Sequence, residues 1–228
     1  LPIETNFPEA WRPWVGYTGR LTNHWPVTGI HMPHPFDFDL IIVGAGMVGA
    51  TLACALEKSS LKVAIVDAME PVPFAADQPH DLRVSALSIA SQRILENVQA
   101  WGGIKSRRCC PYRRMRVWET ENHGDTLFDA AEIGEPALGH IVENRVVQLA
   151  LIERLQQCQN VELYCPVAID SIEYRPEGSS LTLDGGQKLS SRLLIGADGG
   201  QSRVRQAAGI GVHSWDYPQQ ALVAYVET

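Results

Sequence analysis

Leu40-Ile-Ile-Val-Gly-Ala-Gly-Met-Val-Gly49 is an apolar run that breaks into glycines. Leu40 to Val43 carry no charge and read as a strand buried on both faces, as in a parallel sheet. Gly44, Gly46 and Gly49 follow at G-x-G-x-x-G spacing. Such glycines serve a tight turn, close backbone approach to a diphosphate, and close packing of helix on strand. Helix formers run from Met47 to Lys58, and Ala50, Ala53, Cys54 and Leu56 give a small-residue face to lay on the sheet. Lys62-Val-Ala-Ile-Val66 is a second buried strand closed by Asp67. That acid lies about 20 residues beyond the glycines, where a carboxylate accepts hydrogen bonds from the ribose of a dinucleotide. Asp39 to Asp67 is therefore one βαβ unit whose helix N-terminus faces a diphosphate.

The chain has 228 residues, 45% hydrophobic and 20% charged, which is ordinary for a soluble globular protein. Its net charge of −7 argues against a general nucleic-acid binder, since phosphate contacts need a basic surface. No apolar run approaches the length of a bilayer span. The five cysteines, Cys54, Cys109, Cys110, Cys158 and Cys165, lack C-x-x-C spacing, and no His has ligand spacing. Neither a disulfide framework nor a metal site is expected. Reduced thiols imply a cytoplasmic protein, with adjacent Cys109 and Cys110 as the redox-sensitive alternative.

Residues 1–36 hold scattered prolines and Trp11, Trp14 and Trp25 without helical or strand period, and read as an irregular arm. They lack the pattern of a secretory or organellar leader. After Asp67 comes a proline-punctuated loop to Pro79, then an expected helix reaching about Val98 with Ser85 as its N-cap. Arg83, just ahead of it, is by default a surface residue, and otherwise reaches an anionic or polar cofactor. Lys105, Arg107, Arg108, Arg113, Arg114 and Arg116 form a basic cluster, by default a solvated face, otherwise a site for an anionic cofactor, lipid or protein partner. Met115 to Trp118 and Thr126 to Phe128 read as a hairpin across Asn122-His-Gly-Asp125. Ile141 to Asn144 enters a helix through Leu155. Short strands are expected at Val161 to Tyr164, Ala168 to Tyr174 and Ser180 to Leu183, with a turn at Asp184-Gly-Gly186 before Leu189.

The last strand, Leu193-Leu-Ile195, runs into Gly196-Ala-Asp-Gly-Gly200. Ligands of open α/β sheets bind beyond the carboxyl ends of strands, so both glycine turns should line one crevice. Asp198, among small residues, suits the acceptance of hydrogen bonds from a sugar or ribityl chain, or else stabilises its own turn.

At this point the chain resembles the FAD-dependent aromatic hydroxylases. Asp39-x-x-Ile42-x-Gly44-x-Gly46-x-x-Gly49-x-x-x-Ala53-x-x-Leu56, then Val63-x-x-x-Asp67, is similar to their ADP-binding unit, with Ser60 where glycine is usual and Asp67 where glutamate is commoner. Asp198-Gly199-x-x-Ser202-x-x-Arg205 is similar to the second family signature. Pro73-Phe-x-Ala-Asp, Arg83-Val-Ser-Ala, Pro111-Tyr-Arg-Arg114, Phe128-Asp-Ala-Ala-Glu132, Val142-Glu-Asn144 and the stretch Val204 to Trp215 resemble the ubiquinone-biosynthesis subgroup. The nearest branch is that of the 2-octaprenyl-3-methyl-6-methoxy-1,4-benzoquinol hydroxylases.

The resemblance implies an α/β fold: an FAD-binding domain over 37–212, with inserted substrate-sheet strands at 111–139 and the start of an antiparallel substrate domain at 213–228. Family members continue well beyond Thr228, so a truncated chain is expected. The implied cofactor-binding residues are Gly44, Gly46, Gly49, Asp67, Arg83, Asn144 and Asp198; no catalytic residue is identifiable. Asn144 stands where family members carry an arginine or glutamine that contacts FAD. The implied reaction is hydroxylation of a polyprenylated quinol or phenol, with NAD(P)H as reductant and O2 added to reduced FAD as a hydroperoxide. Its partners would be the polyprenyl quinol, a ubiquinone-biosynthesis complex and the inner face of a membrane, contacted peripherally. The rival is a non-catalytic ADP- or FAD-binding subunit that scaffolds quinone enzymes. An NAD-linked dehydrogenase fits less well, because the distant Gly196 turn suits FAD and no Tyr-x-x-x-Lys is present.

Overall fold

The computed structural model describes residues 35–119 and 124–224. The expected arm lies outside the described residues apart from Pro35 and Phe36, as do Asn122 and His123 of the expected hairpin turn. The parallel part of the main sheet contains β1 (Phe38–Val43), β2 (Val63–Val66), β8 (Val161–Tyr164) and β11 (Lys188–Gly196). Two antiparallel strands, β9 (Ile169–Arg175) and β10 (Gly178–Leu183), extend it to six in the order β8-β2-β1-β11-β10-β9.

Side-chain alternation along β1 and β2 sorts two cores onto the two faces of this sheet. Leu40, Ile42, Val63 and Ile65 face one layer, while Ile41, Val43, Ala64 and Val66 face the other. The first layer is closed by α1 (Met47–Ala55), α2 (Ile89–Asn97), α3 (Trp101–Lys105) and α4 (Asn144–Leu155). On α4, Val147, Leu151 and Leu155 are buried, as their i, i+4 spacing requires. The opposite layer receives Ile169, Leu181, Leu189 and Val204, the last from α5 (Arg203–Ala207). Each fully buried Ile or Val stabilises this arrangement by about 1.5–3 kcal/mol.

A second sheet has the order β3 (Val84–Ser88), β7 (Gly139–Glu143), β4 (Cys110–Tyr112), all antiparallel. The hairpin β5 (Arg114–Trp118) with β6 (Asp125–Asp129) stands apart as a two-stranded sheet, followed by a 3-10 turn at Ala130–Ile133. No helix among the described residues is long and apolar enough to cross a membrane.

Several local expectations are corrected. Residues 84–88 are strand, so the helix expected from Ser85 starts later; Ser88 is its N-cap, accepting from the Ser91 N–H at 3.2 Å. Pairing with β7 along its whole length overrides the helical propensity of so short a segment. Residues 139–143 are likewise strand, and the following helix begins only at Asn144. Helix α1 stops at Ala55 rather than Lys58, because the Leu56 carbonyl is taken by Ser59 Oγ at 2.6 Å and Asn160 Nδ2 at 3.0 Å. Ser60 carries no left-handed strain: Gln99 is the sole non-glycine residue at positive φ among those described. Leu189 and Leu193 to Ile195 belong to one nine-residue strand, which pairs antiparallel with β10 at its start and parallel with β1 at its end.

The five cysteines are free. Burial, then the nearby Cys158, pushes the Cys54 thiol up to about 12, while Cys110 is exposed. Alkylation of the native protein at pH 8 should therefore label Cys110 and spare Cys54; mass spectrometry of the digest reads the order, and early labelling of Cys54 would refute the packing of α1 against α4. A Cβ on Gly49 would lie 1.9 Å from the Gly44 carbonyl oxygen, whereas one on Gly46 would meet nothing within 4 Å. Gly49→Ala should accordingly cost about 1–3 kcal/mol in denaturant unfolding, and Gly46→Ala should change stability by no more than about 0.5 kcal/mol.

Candidate functional site

Strands β1 and β11 are parallel neighbours with Val43 opposite Gly196, so both glycine turns leave the same edge of the sheet. The Ala197 N–H donates to the Val43 carbonyl at 2.7 Å, and the Gly44 N–H to that of Val66 at 2.7 Å. Gly44 has φ +103°, and a Cβ there would sit 2.4 Å from the Ala197 carbonyl oxygen. Only glycine satisfies both demands. The three glycines thus divide their roles: Gly44 lets the two turns touch, Gly49 lets α1 lie on the loop, and Gly46 faces open space.

Gly46 is also the N-cap of α1. It supplies no capping side chain, and the first turn of α1 has no acidic residue. Backbone N–H groups and the positive end of the helix dipole are left for an external anion.

Asp67 is engaged more fully with the protein than its spacing suggested. Its Oδ2 accepts from the Ala45 N–H at 2.7 Å and its Oδ1 from the Met69 N–H at 2.9 Å. The carboxylate therefore holds the glycine loop in place, and each oxygen still has a lone pair for a ligand hydroxyl. Asp198 unites both of its expected roles. Its Oδ2 accepts from the N–H groups of Arg203 at 2.6 Å and Val204 at 3.2 Å, fixing the entry to α5, whose N-cap Ser202 accepts from the Arg205 N–H at 3.0 Å. Its Oδ1 is buried with no hydrogen-bond partner. A buried carboxylate oxygen in that state is costly unless a donor arrives. Burial, and then the Asp198 charge, raises the pKa of the nearby Tyr174, whose hydroxyl donates to the Val204 carbonyl at 3.1 Å.

Arg83 and Asn144 come together at the start of α4. The Asn144 N–H donates to the Arg83 carbonyl at 3.0 Å, and the Asn144 side-chain carbonyl accepts from Ser85 Oγ at 2.6 Å. That bond uses the Asn144 carbonyl oxygen and leaves its amide NH2 as a donor. The Arg83 side chain is exposed. Gln148, unnoticed in the sequence, donates from Nε2 to the Ala45 carbonyl at 3.2 Å. It lies one turn after Asn144, so one face of α4 links Asn144 to the glycine loop. That i, i+4 relation is the signal that could have found it.

The basic cluster divides: Lys105, Arg107 and Arg108 line one cavity, while Arg114 and Arg116 lie on the hairpin. Arg107 pairs with Glu153, Arg114 with Asp129, and Arg116 with Asp125. Arg108 turns inward to the carbonyls of residues 75–78 and toward Glu143.

For FAD, these residues fit: an open glycine at an uncapped helix N-terminus, a carboxylate at the end of β2, and an unpartnered buried oxygen on Asp198. Comparison with known proteins agrees. The chain is 41% identical over 189 residues to the 3-demethoxyubiquinol 3-hydroxylase of Escherichia coli (strain K12), covering 83% of this chain and 48% of that one. It is 35% identical to the ubiquinone hydroxylase UbiL of Rhodospirillum rubrum, covering 83% and 43%. It thus spans about half the length of the curated relatives it matches. Among solved structures, a probable FAD-dependent monooxygenase of Pseudomonas aeruginosa, pqsL, superposes with a TM-score of 0.63 at 21% identity, covering 79% of this chain and 48% of that one. That likeness concerns the fold alone. The FAD binding domain family matches residues 37–226, and the chain belongs to it, as an α/β FAD-binding domain of the aromatic-hydroxylase type.

Proposed function

We propose that this chain holds FAD across its two joined glycine turns, as the cofactor-binding part of a monooxygenase that hydroxylates the ring of a polyprenylated quinol or phenol in ubiquinone biosynthesis. The observation that carries the cofactor half is the buried, unpartnered Asp198 Oδ1 beside the turn that touches Gly44. The substrate half is supported by the relatives, which bear the names of ubiquinone hydroxylases at 35–41% identity.

Each residue has a distinct task. Gly46 admits the diphosphate to the N–H groups of α1, where the helix dipole offsets its charge. Asp67 accepts from the adenosine ribose while clamping Ala45. Asp198 accepts at Oδ1 from the ribityl region, and Arg83 with the Asn144 amide meets the middle of the flavin. When bound, FAD supplies the redox chemistry, drawing electrons from NAD(P)H and using O2 to oxygenate the ring. The protein's own part is to hold, orient and shield it. We assign the inserted segment 111–139, with its β5–β6 hairpin, to the substrate side of an FAD-binding domain over 37–212; the described residues 213–224, expected to begin a substrate sheet, form no strand. A polyprenyl substrate places the working enzyme at the cytoplasmic face of a membrane, by peripheral contact and beside other enzymes of the pathway.

The decisive measurement is flavin uptake followed by NAD(P)H oxidation that depends on both O2 and an added quinol precursor. Flavin uptake without such oxidation would favour a non-catalytic FAD-binding subunit, and a colourless protein that takes up no FAD would sink both. Asp198→Ala and Asp67→Ala should each weaken FAD binding by about 1.5–3 kcal/mol, the worth of a charge-assisted hydrogen bond. Gly46→Ala should lower FAD affinity while leaving the melting temperature in place, because its added methyl group projects only toward the diphosphate. In fractionated cells the whole protein should sediment partly with membranes and be released by salt.

A further inference from the structure

Pro73-Phe-x-Ala-Asp, and Glu143 of Val142-Glu-Asn144, have no role in the site as described so far. In the structure they meet. Arg108 lies with its guanidinium 5.0 Å from the ring centroid of Phe74, and its Nη2 donates to the carbonyls of Ala76 at 3.0 Å and Gln78 at 2.5 Å. Its Nη1 is 3.6 Å from Glu143 Oε1. Glu143 is 3% exposed, and the same Oε1 accepts from the Asp81 N–H at 2.6 Å. Arg145 closes the circuit with a two-pronged pair to the Asp81 carboxylate, Nε to Oδ2 at 2.8 Å and Nη2 to Oδ1, and directs Nη1 to the Pro73 carbonyl at 3.4 Å. Two cations and two carboxylates thus tie both ends of loop 73–81 to the start of α4.

This network is an expensive way to hold a loop. Glu143 Oε2 and Arg108 Nη1 are buried without hydrogen-bond partners. Buried ion pairs of this kind contribute little net stability, since desolvation offsets the attraction. Stability therefore does not explain it, but geometry does. Asp81 is two residues before Arg83, and Glu143 is one before Asn144, whose N–H donates to the Arg83 carbonyl. Fixing Asp81 against Glu143 fixes where Arg83 leaves the loop.

We propose that Arg108 and Glu143 are positioning residues: they hold loop 73–81 so that Arg83 is preset toward the flavin half of FAD. The proposal rests on the FAD assignment above and adds to it a part of the chain that makes no contact with the ligand.

Titration of the full chain with FAD and with ADP tests it. ADP occupies only the glycine turns, whereas FAD extends to Arg83. Arg108→Leu and Glu143→Gln should each weaken FAD roughly tenfold, the scale of one lost charge-assisted hydrogen bond, and leave ADP affinity within about twofold. Arg108→Lys, which keeps the charge and the stem, should recover part of the loss and guards against misfolding of the leucine variant. The FAD losses of Arg108→Leu and Arg83→Ala should not add in the double variant, because the first acts through the second. Equal falls in FAD and ADP affinity would mean that the network is merely structural, and additive losses or unchanged FAD affinity would also overturn the proposal. A wild-type chain that binds ADP but not FAD would overturn the FAD assignment itself, a result distinct from these.

Discussion

The contact on which the site depends is backbone against backbone. Gly44 and Ala197 approach so closely that a single methyl group on Gly44 would sit 2.4 Å from a carbonyl oxygen. Parallel pairing of β1 with β11 delivers the two turns to one edge, and the absence of a side chain lets them touch. The uncapped end of α1, Asp67 and Asp198 all follow strands that end at this edge. Residues more than 100 positions apart in the chain are thereby placed with the precision of main-chain hydrogen bonds.

Both carboxylates at this site are engaged by the backbone, to different degrees. Both oxygens of Asp67 accept from the chain, from the N–H groups of Ala45 and Met69. The loop gains a brace, and a ligand must share the carboxylate with the backbone. Asp198 shows the opposite balance: one oxygen caps α5 and the other is held back from every protein donor. A charge held in that state is stabilised by what it binds.

How much of this was legible follows from the range of the forces involved. The βαβ unit could be read because its signals are local: unbroken apolar strands, glycine spacing and a terminal acid. The second turn could be read for the same reason. Residues 84–88 misled because their strand state is set by β7, more than fifty positions away, and local propensity for so short a segment is weak. Arg108, Glu143 and Arg145 were out of reach for a related reason. Their partners, the carbonyls of Ala76 and Gln78, the Asp81 N–H and the Asp81 carboxylate, lie tens of residues away in the chain. The basic cluster misled in another way, since neighbours in sequence turned to Glu153, Asp125, Asp129 and Glu143 on different elements.

Two places among the described residues carry groups without protein partners, and they differ in kind. Around the glycine turns they are polar: helix N–H groups, Asp198 Oδ1 and the Asn144 amide. On the β5–β6 hairpin they are apolar: Met115, Val117 and Phe128 are exposed on one face, and Trp118 and Leu127 on the other beside the Arg114–Asp129 and Arg116–Asp125 ion pairs. A two-stranded hairpin is marginal in water unless something covers an apolar face. The groove formed by Leu52, Leu56, Leu61 and Leu193, about 560 Å3, is likewise apolar with charges at its rim. The polar groups suit a cofactor that carries phosphates and hydroxyls, and they lie where two strands end in glycine; the apolar faces suit an apolar surface laid upon them.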